Sequence, residues 1–198
     1  MRKHIRFFVV IVLASLLGSI NIGCVVHSYY GINGFALDSK TGKPIQGAAV
    51  VVVNYAHYSS LGGASYGPDD AIEASTDSDG KFILSKKFFW GLEPNHSYYQ
   101  MYIFEPNYEF VSFSDESGAN GLYRADGSPI LSIASTIQGR AYEFRLSRLE
   151  TESQKKNNAE NVWIHEFTPI AEKFPNFMKL VNAERHKYGI SDVFLWNN

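Results

Sequence analysis

Short runs of β-branched and aromatic residues, separated by turn residues, dominate the hydrophobic pattern of the middle of the chain. The strongest run is Gly47–Tyr55. Its four consecutive valines predict a strand that is central in its sheet or buried on both faces. The pattern therefore predicts a mainly β protein. Further strands are expected at Gly34–Asp38, Ala71–Thr76, Lys81–Leu84, Ser97–Phe104, Phe110–Phe113 and Arg140–Leu149.

Polar segments rich in glycine, serine and aspartate separate these runs. Asp38–Pro44 has the composition of a turn, and Asp77-Ser78-Asp79-Gly80 is typical of a tight hairpin turn, because its glycine accepts a positive φ. Two longer polar segments, His57–Asp70 and Ser114–Pro129, are expected to be loops.

The chain changes character after Glu150. Thr151–Glu160 has no apolar residue except one alanine, which indicates either a linker or an exposed helix. Asn176–Tyr188 has the apolar spacing of an amphipathic helix, with cationic residues in its last turn and Gly189 positioned as a C-terminal cap. We expect this C-terminal segment to dock on the chain's own β domain or to be presented to a partner.

The N-terminus has the three parts of an export signal. Met1–Arg6 is basic, Phe7–Leu17 is apolar apart from one serine, and small residues then lead to Ile22-Gly23-Cys24. A retained membrane helix is the alternative, but the apolar run is shorter than the roughly 20 residues that a span needs. We interpret residues 1–23 as a leader and residues 24–30 as a tether.

Cys24 is the only cysteine in the chain, so it cannot form an internal disulfide. Its place after Ile22-Gly23 resembles the lipobox of bacterial lipoproteins, although Asn21 stands where that motif usually has leucine. The resemblance implies a lipid on the Cys24 thiol and cleavage just before it. Val25 is not the aspartate that retains enteric lipoproteins in the inner membrane. The sequence therefore predicts a lipid-anchored protein of the bacterial cell envelope and favours the outer membrane.

The charge balance limits the partners. The full chain has 18 basic and 20 acidic residues and a formal net charge of −2. Losing three basic residues with the leader makes the mature chain more acidic, so a nucleic-acid partner is not expected. A basic patch for anionic lipid is also missing from the sequence, and membrane attachment would then depend on the lipid of Cys24.

Three groups of turn motifs occur in order along residues 34–82. They are Gly34-Phe-Ala-Leu-Asp38, then Thr41-Gly-Lys-Pro-Ile45 with Gly47-Ala-Ala-Val50, and finally Thr76-Asp-Ser-Asp-Gly-Lys-Phe82. Together they resemble the carboxypeptidase regulatory-like domain. The resemblance implies a transthyretin-like Greek-key β-sandwich of about seven strands, here residues 31–150, followed by a linker and helical extension over residues 151–198. It also implies an accessory module without catalysis of its own.

The sequence offers no residue set for a metal, a cofactor or a catalytic site. Asp77-Ser78-Asp79-Gly80 resembles a piece of a calcium loop, but the twelfth position from Asp77 is Phe88, where such a loop has glutamate. The six histidines lack the spacing that places two imidazoles on one metal ion. We therefore expect a chain that is not an enzyme and holds neither a metal nor a cofactor.

The expected function is that of a lipid-anchored envelope protein with a non-catalytic interaction or spacer sandwich, which could contact another envelope protein. The alternative is a lipoprotein that binds a small ligand or glycan through the loops at 57–70 and 114–129. A hydrolase with a site assembled from distant residues is a third hypothesis.

Overall fold

The computed structural model describes residues 25–28, 31–60, 63–85, 88–91, 98–114, 130–136, 139–162 and 170–192. Two compact units divide the chain, the smaller formed by residues 1–29 and 88–94. The elements of the described residues are β1 (Val25–Ser28), β2 (Ile32–Asp38), β3 (Ala49–Ser60), β4 (Gly63–Ser75), β5 (Lys81–Leu84), β6 (Phe88–Gly91), β7 (Tyr98–Phe104), β8 (Val111–Ser114), β9 (Leu131–Thr136), β10 (Gly139–Leu146), α1 (Glu152–Glu160) and α2 (Pro175–Lys187).

The larger unit contains two four-stranded sheets. The first sheet has the order β5-β2-β10-β9 and the second has the order β4-β3-β7-β8. Neighbouring strands are antiparallel except β2 and β10, which run parallel with Gly34 opposite Tyr142. The prediction of a mainly β sandwich with a C-terminal helical part is confirmed.

Side chains from both sheets meet in a cluster that we call the inner core. Alternate residues of each strand point into it, as the period of two in a strand requires. Every member is at least nine-tenths buried, which removes the apolar surface of both inner faces from water. The inner core comprises Ala36, Ile45, Ala48, Val50, Val52, Phe82, Leu84, Met101, Ile103, Val111, Phe144 and Leu146.

The other face of the second sheet carries a separate cluster, the outer core, in which the C-terminal segment packs on the strands. Val51 and Val53 of β3 belong to it, whereas their neighbours Val50 and Val52 belong to the inner core. The valine run is therefore buried on both faces, as predicted. The helical side comprises Val162, Ile170, Ala171, Phe174, Phe177, Met178 and Val181.

The strands give the sandwich two distinct ends. At the end that we call the turn end, β2 finishes and β3 begins, and short backbone hydrogen bonds tie the connections together. Ile45 N donates to Ala36 O at 2.9 Å, and Thr76 N donates to Ala48 O at 2.9 Å. At the opposite end, the entry end, the chain enters β2 at Ile32, which pairs with Leu84 at the end of β5.

The expected loop at His57–Asp70 is wrong. β3 and β4 continue as a paired hairpin from Ala56 opposite Gly67 to Ser60 opposite Gly63. We call this pair of strands, residues 56–60 and 63–67, the arm. Among the described residues, the pairing of β7 with β3 ends with Tyr55 opposite Tyr98, and residues 92–97 before β7 lie outside the description. Serine and glycine composition suggested a loop because those residues have weak strand propensity, but cross-strand backbone pairing prevails here.

The expected tether at residues 24–30 contains a strand. β1 pairs with β6 in an antiparallel ribbon, with Val25 opposite Gly91 and Ser28 opposite Phe88. Most of the second expected loop, residues 115–129, lies outside the described residues. β9 begins at Leu131 soon afterwards and pairs with β10, which the sequence reasoning missed.

Thr151–Glu160 forms a helix rather than an unstructured linker. The Thr151 side chain accepts a hydrogen bond from Gln154 N, and the Gln154 side chain accepts one from Thr151 N. This reciprocal pair is a capping box, which is readable in the sequence as Thr-x-x-Gln. Among the residues of α1, only Ala159 is buried, so the helix rests on the protein by one narrow face.

Candidate functional site

The turn end is organised around the buried carboxylate of Asp38. Its Oδ1 accepts hydrogen bonds from Thr41 N at 2.8 Å, from Lys40 N at 3.0 Å and from the Thr41 hydroxyl at 3.0 Å. Tyr108, from the connection between β7 and β8, donates its hydroxyl to Asp38 Oδ2 at 3.2 Å. One side chain therefore holds together two turns that are 70 positions apart in the chain.

The environment keeps Asp38 ionised. Burial by itself would raise the pKa of Asp38, but the hydrogen bonds from Thr41, Tyr108 and Lys40 outweigh it and leave the pKa below its ordinary value. Burial and the charge of Asp38 raise the pKa of Tyr108 in turn. An ionised carboxylate whose oxygens both accept hydrogen bonds is suited to a structural role, in which it connects the two turns.

The second feature of the turn end is the hairpin turn at Asp77–Gly80, which is observed as predicted. Asp77 Oδ1 accepts hydrogen bonds from Asp79 N and Lys81 N, both at 2.9 Å. Gly80 has a φ of +69°, and a Cβ at this position would lie 2.5 Å from Ala36 O. The Asp77 side-chain oxygen, which the sequence offered as part of a calcium loop, therefore accepts hydrogen bonds within the turn itself. The turn also requires glycine at position 80.

Carboxylates of β4 hold the beginning of α2. The helix starts after Phe174 without a side-chain cap of its own. Instead, Glu73 accepts hydrogen bonds from the Phe177 backbone N–H and, at 3.2 Å, from both Asn176 N and its side-chain amide. A carboxylate is favoured at this place because the first N–H groups of a helix lack internal partners. Sequence reasoning missed Glu73 because it lies about 100 positions from the helix.

An ion pair supports the same junction. Lys173 Nζ lies 2.7 Å from Asp70 Oδ1, and it also donates to the Asp69 backbone oxygen at 3.2 Å. The Asp70 side chain is only 3% exposed, so its charge requires this close partner. The acidic residues just beyond the arm therefore serve to position the C-terminal segment.

The outer face of the first sheet differs from the covered face of the second. Ile83 of β5 is 60% exposed, while Phe35 and Leu37 of β2 are partly exposed. Glu143 and Arg145 of β10 form an ion pair at 2.5 Å. This face is small, mixed in polarity and free of a helix among the described residues.

The residues that the sequence singled out are not gathered into one place. Cys24 lies outside the described residues. His57 lies on β3 within the arm. His186, in the last turn of α2, lies 2.5 Å from the carboxylate of Asp192, which follows the helix. Among the side chains that the structure describes, no group of three histidine, cysteine or acidic residues is placed to hold a metal ion.

Both helices α1 and α2 are short and carry many polar residues. No helix in the described ranges has the length and apolar character that a membrane crossing would need.

Comparisons with known proteins add little to this geometry. No protein-family model and no curated protein matches the chain. Among solved structures, it is similar to a crystal structure of 3-chlorocatechol 1,2-dioxygenase from Rhodococcus opacus 1CP, with 15% sequence identity and a TM-score of 0.29. The match covers 65% of this chain and 62% of that one, so the chain spans less than two thirds of its neighbour's length. At this TM-score, the likeness transfers neither fold nor activity.

The neighbour's title nevertheless names an enzyme, which contradicts the prediction that this chain is not an enzyme. We therefore do not retain that prediction. The physical reason is general: activity depends on a few side chains placed on a fold, and the absence of a local sequence motif does not exclude a site built from distant residues.

Proposed function

We propose that the chain is a lipid-anchored protein of the bacterial cell envelope, attached to the outer membrane by a lipid on Cys24. Its sandwich, which resembles the carboxypeptidase regulatory-like domain, serves as an interaction or spacer module next to the membrane. Another envelope protein is the expected class of partner.

The observation that carries the proposal is the position of Cys24 in the sequence. The cysteine follows a basic segment and an apolar run, and seven residues separate it from Ile32, where β2 begins. Eight Cα-to-Cα steps span at most about 29 Å when fully extended. The lipid would therefore tether the sandwich within this distance of the bilayer.

The turn motifs support the assignment of the sandwich. Gly34–Asp38 lies within β2, and the segment Thr41–Val50 leads into β3. Thr76–Phe82 forms the hairpin connection into β5, where the Thr76 hydroxyl donates to Ile45 O at 2.7 Å and accepts from Ala48 N at 2.9 Å. Each motif thus makes the contacts of the turn end, as expected of residues that specify a fold.

The decisive experiment is the intact mass of the protein extracted from membranes, compared with a Cys24→Ser variant. We expect the mature chain to begin at Cys24 and to carry added acyl mass, and the variant to lack that mass and to leave the membrane fraction. Several acyl chains give an effectively permanent attachment because each buried CH₂ contributes about 0.8 kcal/mol.

An unmodified Cys24 would contradict the proposal, whether the chain were cut elsewhere or left uncut. A partner would be sought by crosslinking from the turn end, with a cysteine introduced at exposed Ser78, and comparison with the same label on the Cys24→Ser variant would show whether capture depends on the anchor.

A further inference from the structure

The outer face of the first sheet carries a patch of apolar side chains bordered by charges of both signs. Ile83 of β5 is 60% exposed, and among the described side chains it is the one large hydrophobic residue that is exposed. Phe35 and Leu37 of β2 lie on the same face and are partly exposed. We call this patch the open face, and it consists of Phe35, Leu37, Lys81, Ile83, Glu143 and Arg145.

The strand register arranges three of these residues in one row across the sheet. Phe35 of β2 is opposite Lys81 of β5 on one side and opposite Glu143 of β10 on the other. The next residue of each strand belongs to the inner core, so these three side chains point away from it. The row therefore has a cation at one end, an aromatic ring in the middle and an anion at the other end.

Both charged ends of the row can interact with a second molecule. Lys81 is exposed, and its ammonium forms no ion pair within the part of the chain that the structure describes. Glu143 forms an ion pair with Arg145, yet 20% of the Glu143 side chain remains exposed. An ionised carboxylate has several acceptor sites, so Glu143 can bind a further cation while it keeps Arg145.

A two-fold axis makes such a row complementary to itself. In a dimer with this symmetry, both copies use the same patch, and each unlike pair of residues occurs twice. β5 and β10 lie on either side of β2, so an axis that runs along β2 through Phe35 exchanges the positions of these two strands. Lys81 of each copy then faces Glu143 of the second copy, and the two Phe35 rings meet on the axis.

The same axis matches the neighbouring row of the open face. Leu37 also lies on β2, so its side chain meets Leu37 of the second copy. Arg145, which is opposite Leu37, lies over the turn that precedes β5 in the second copy, where Asp77 and Asp79 are exposed. The contact thus has an apolar centre and a charged rim, which is the usual organisation of a protein interface.

We propose that the open face binds a second copy of this chain, and that the two sandwiches pack face to face about a two-fold axis along β2. The inference does not depend on the lipid of Cys24. A strand spacing of about 4.8 Å and a rise of about 3.3 Å per residue give the open face a projected area of about 200 Å² per copy, which is typical of a weak, reversible contact.

The test is a charge-reversal cycle on the full chain extracted from membranes, in a detergent whose density is matched to the buffer. Sedimentation equilibrium measures the molecular mass at protein concentrations from about 10 μM to about 1 mM, a range that detects weak association. The chains compared are the wild type, Lys81→Glu, Glu143→Lys and the double variant. Melting temperatures show that each variant is folded.

We expect the wild type to form a dimer within this range. Either single reversal places like charges opposite each other twice, and should raise the dimer Kd by at least about tenfold. The double variant should restore the dimer, because the exchanged charges again attract across the interface. Within one copy, Lys81 and Glu143 are two strands apart, about 10 Å, so recovery in the double variant reports on contact between copies.

Two further variants complete the test. Ile83→Asp should abolish the dimer and leave the melting temperature unchanged, because the side chain that it replaces is exposed. Lys43→Glu makes the same charge change as Lys81→Glu at an exposed lysine of the turn end, and should leave the dimer intact.

A wild-type chain that stays monomeric over the whole range would overturn the inference. A dimer that survives both Lys81→Glu and Ile83→Asp would overturn it in favour of another surface, and equal weakening by Lys43→Glu would reduce the effect to net charge. A folded double variant that remains monomeric would overturn the pairing of Lys81 with Glu143.

Discussion

The inner and outer cores lie on opposite faces of the same strand, β3, and they are assembled differently. The inner core joins two sheets whose strands are bonded to their neighbours along continuous backbone ladders. The outer core joins a sheet to helical residues, and the junction depends on side-chain packing and a few polar anchors such as Glu73 and Lys173. The sandwich can therefore retain its backbone ladders when the C-terminal layer loosens, whereas the helix has no comparable support.

This difference also explains why the second sheet needs a third layer. Val51, Val53 and Phe104 would face water if α2 left, and a contiguous apolar patch of this kind promotes association. The first sheet has Lys81, Glu143 and Arg145 on its outer face and can tolerate contact with water there.

The largest expected effect compares one phenylalanine from each core. Phe144→Ala empties a site in the inner core, and Phe177→Ala empties one in the outer core, where Phe177 contacts the Phe104 ring at a centroid distance of 6.1 Å. Each truncation should lower the free energy of unfolding by about 3–5 kcal/mol. Hydrogen exchange should distinguish them, because Phe177→Ala should deprotect α2 more than the first sheet, while Phe144→Ala should deprotect both alike.

Equal loss of protection in β2 and α2 for the Phe177→Ala variant would mean that the two cores unfold as one unit. Urea denaturation measures the total loss in the free energy of unfolding for each variant. The local losses of hydrogen-exchange protection are compared with that total.

A smaller effect is expected at the junction between β4 and α2. Glu73→Gln should weaken the cap of the helix and cost about 1–2 kcal/mol in the free energy of unfolding, since a neutral amide oxygen interacts less favourably with the first N–H groups. Glu172→Gln is the matched control, because Glu172 is exposed on the same C-terminal segment. Urea denaturation measures both variants. A Glu73 variant as stable as the control would show that packing alone holds the helix.

The smallest expected effect is the loss of stability at the turn end, next to the inner core, when the pH is lowered. The folded protein lowers the pKa of Asp38, so this group stabilises the fold above the pKa of its unfolded state and loses that contribution as pH falls below about 4. The Asp38→Asn variant lacks this contribution at every pH. The difference in free energy of unfolding between wild type and variant should therefore shrink as the solution is acidified from pH 5 to pH 2. Thermal melts at each pH measure this, and a difference that stays constant across that range would contradict the assignment.

The elements that the sequence predicted well have strong local signals. β5 was predicted with its observed bounds, because Lys81–Leu84 alternates between exposed and buried residues after a glycine turn. The end of α2 follows from Gly189, which has a φ of +66°. The burial of the valine run on both faces follows from its unbroken apolar character.

The missed features depend on contacts between distant residues. The arm is rich in serine, glycine and alanine, and its strand conformation comes from pairing across the hairpin rather than from propensity. The cap supplied by Glu73 and the joint between Asp38 and Tyr108 connect residues far apart in the chain, so no local pattern reveals them. For the capping box of α1, in contrast, a signal was present at Thr151 and Gln154.

The parallel pairing of β2 with β10 has a consequence for the order of folding. Gly34 and Tyr142 are partners although 108 positions separate them, so the first strand of the sandwich cannot complete its ladder until almost the whole domain has been delivered. Closing such a long loop carries an entropic cost that slows folding. Until β10 and α2 are added, the valine-rich β3 lacks part of its inner core on one face and the helical part of its outer core on the other, and in that interval the chain is most exposed to aggregation and proteolysis.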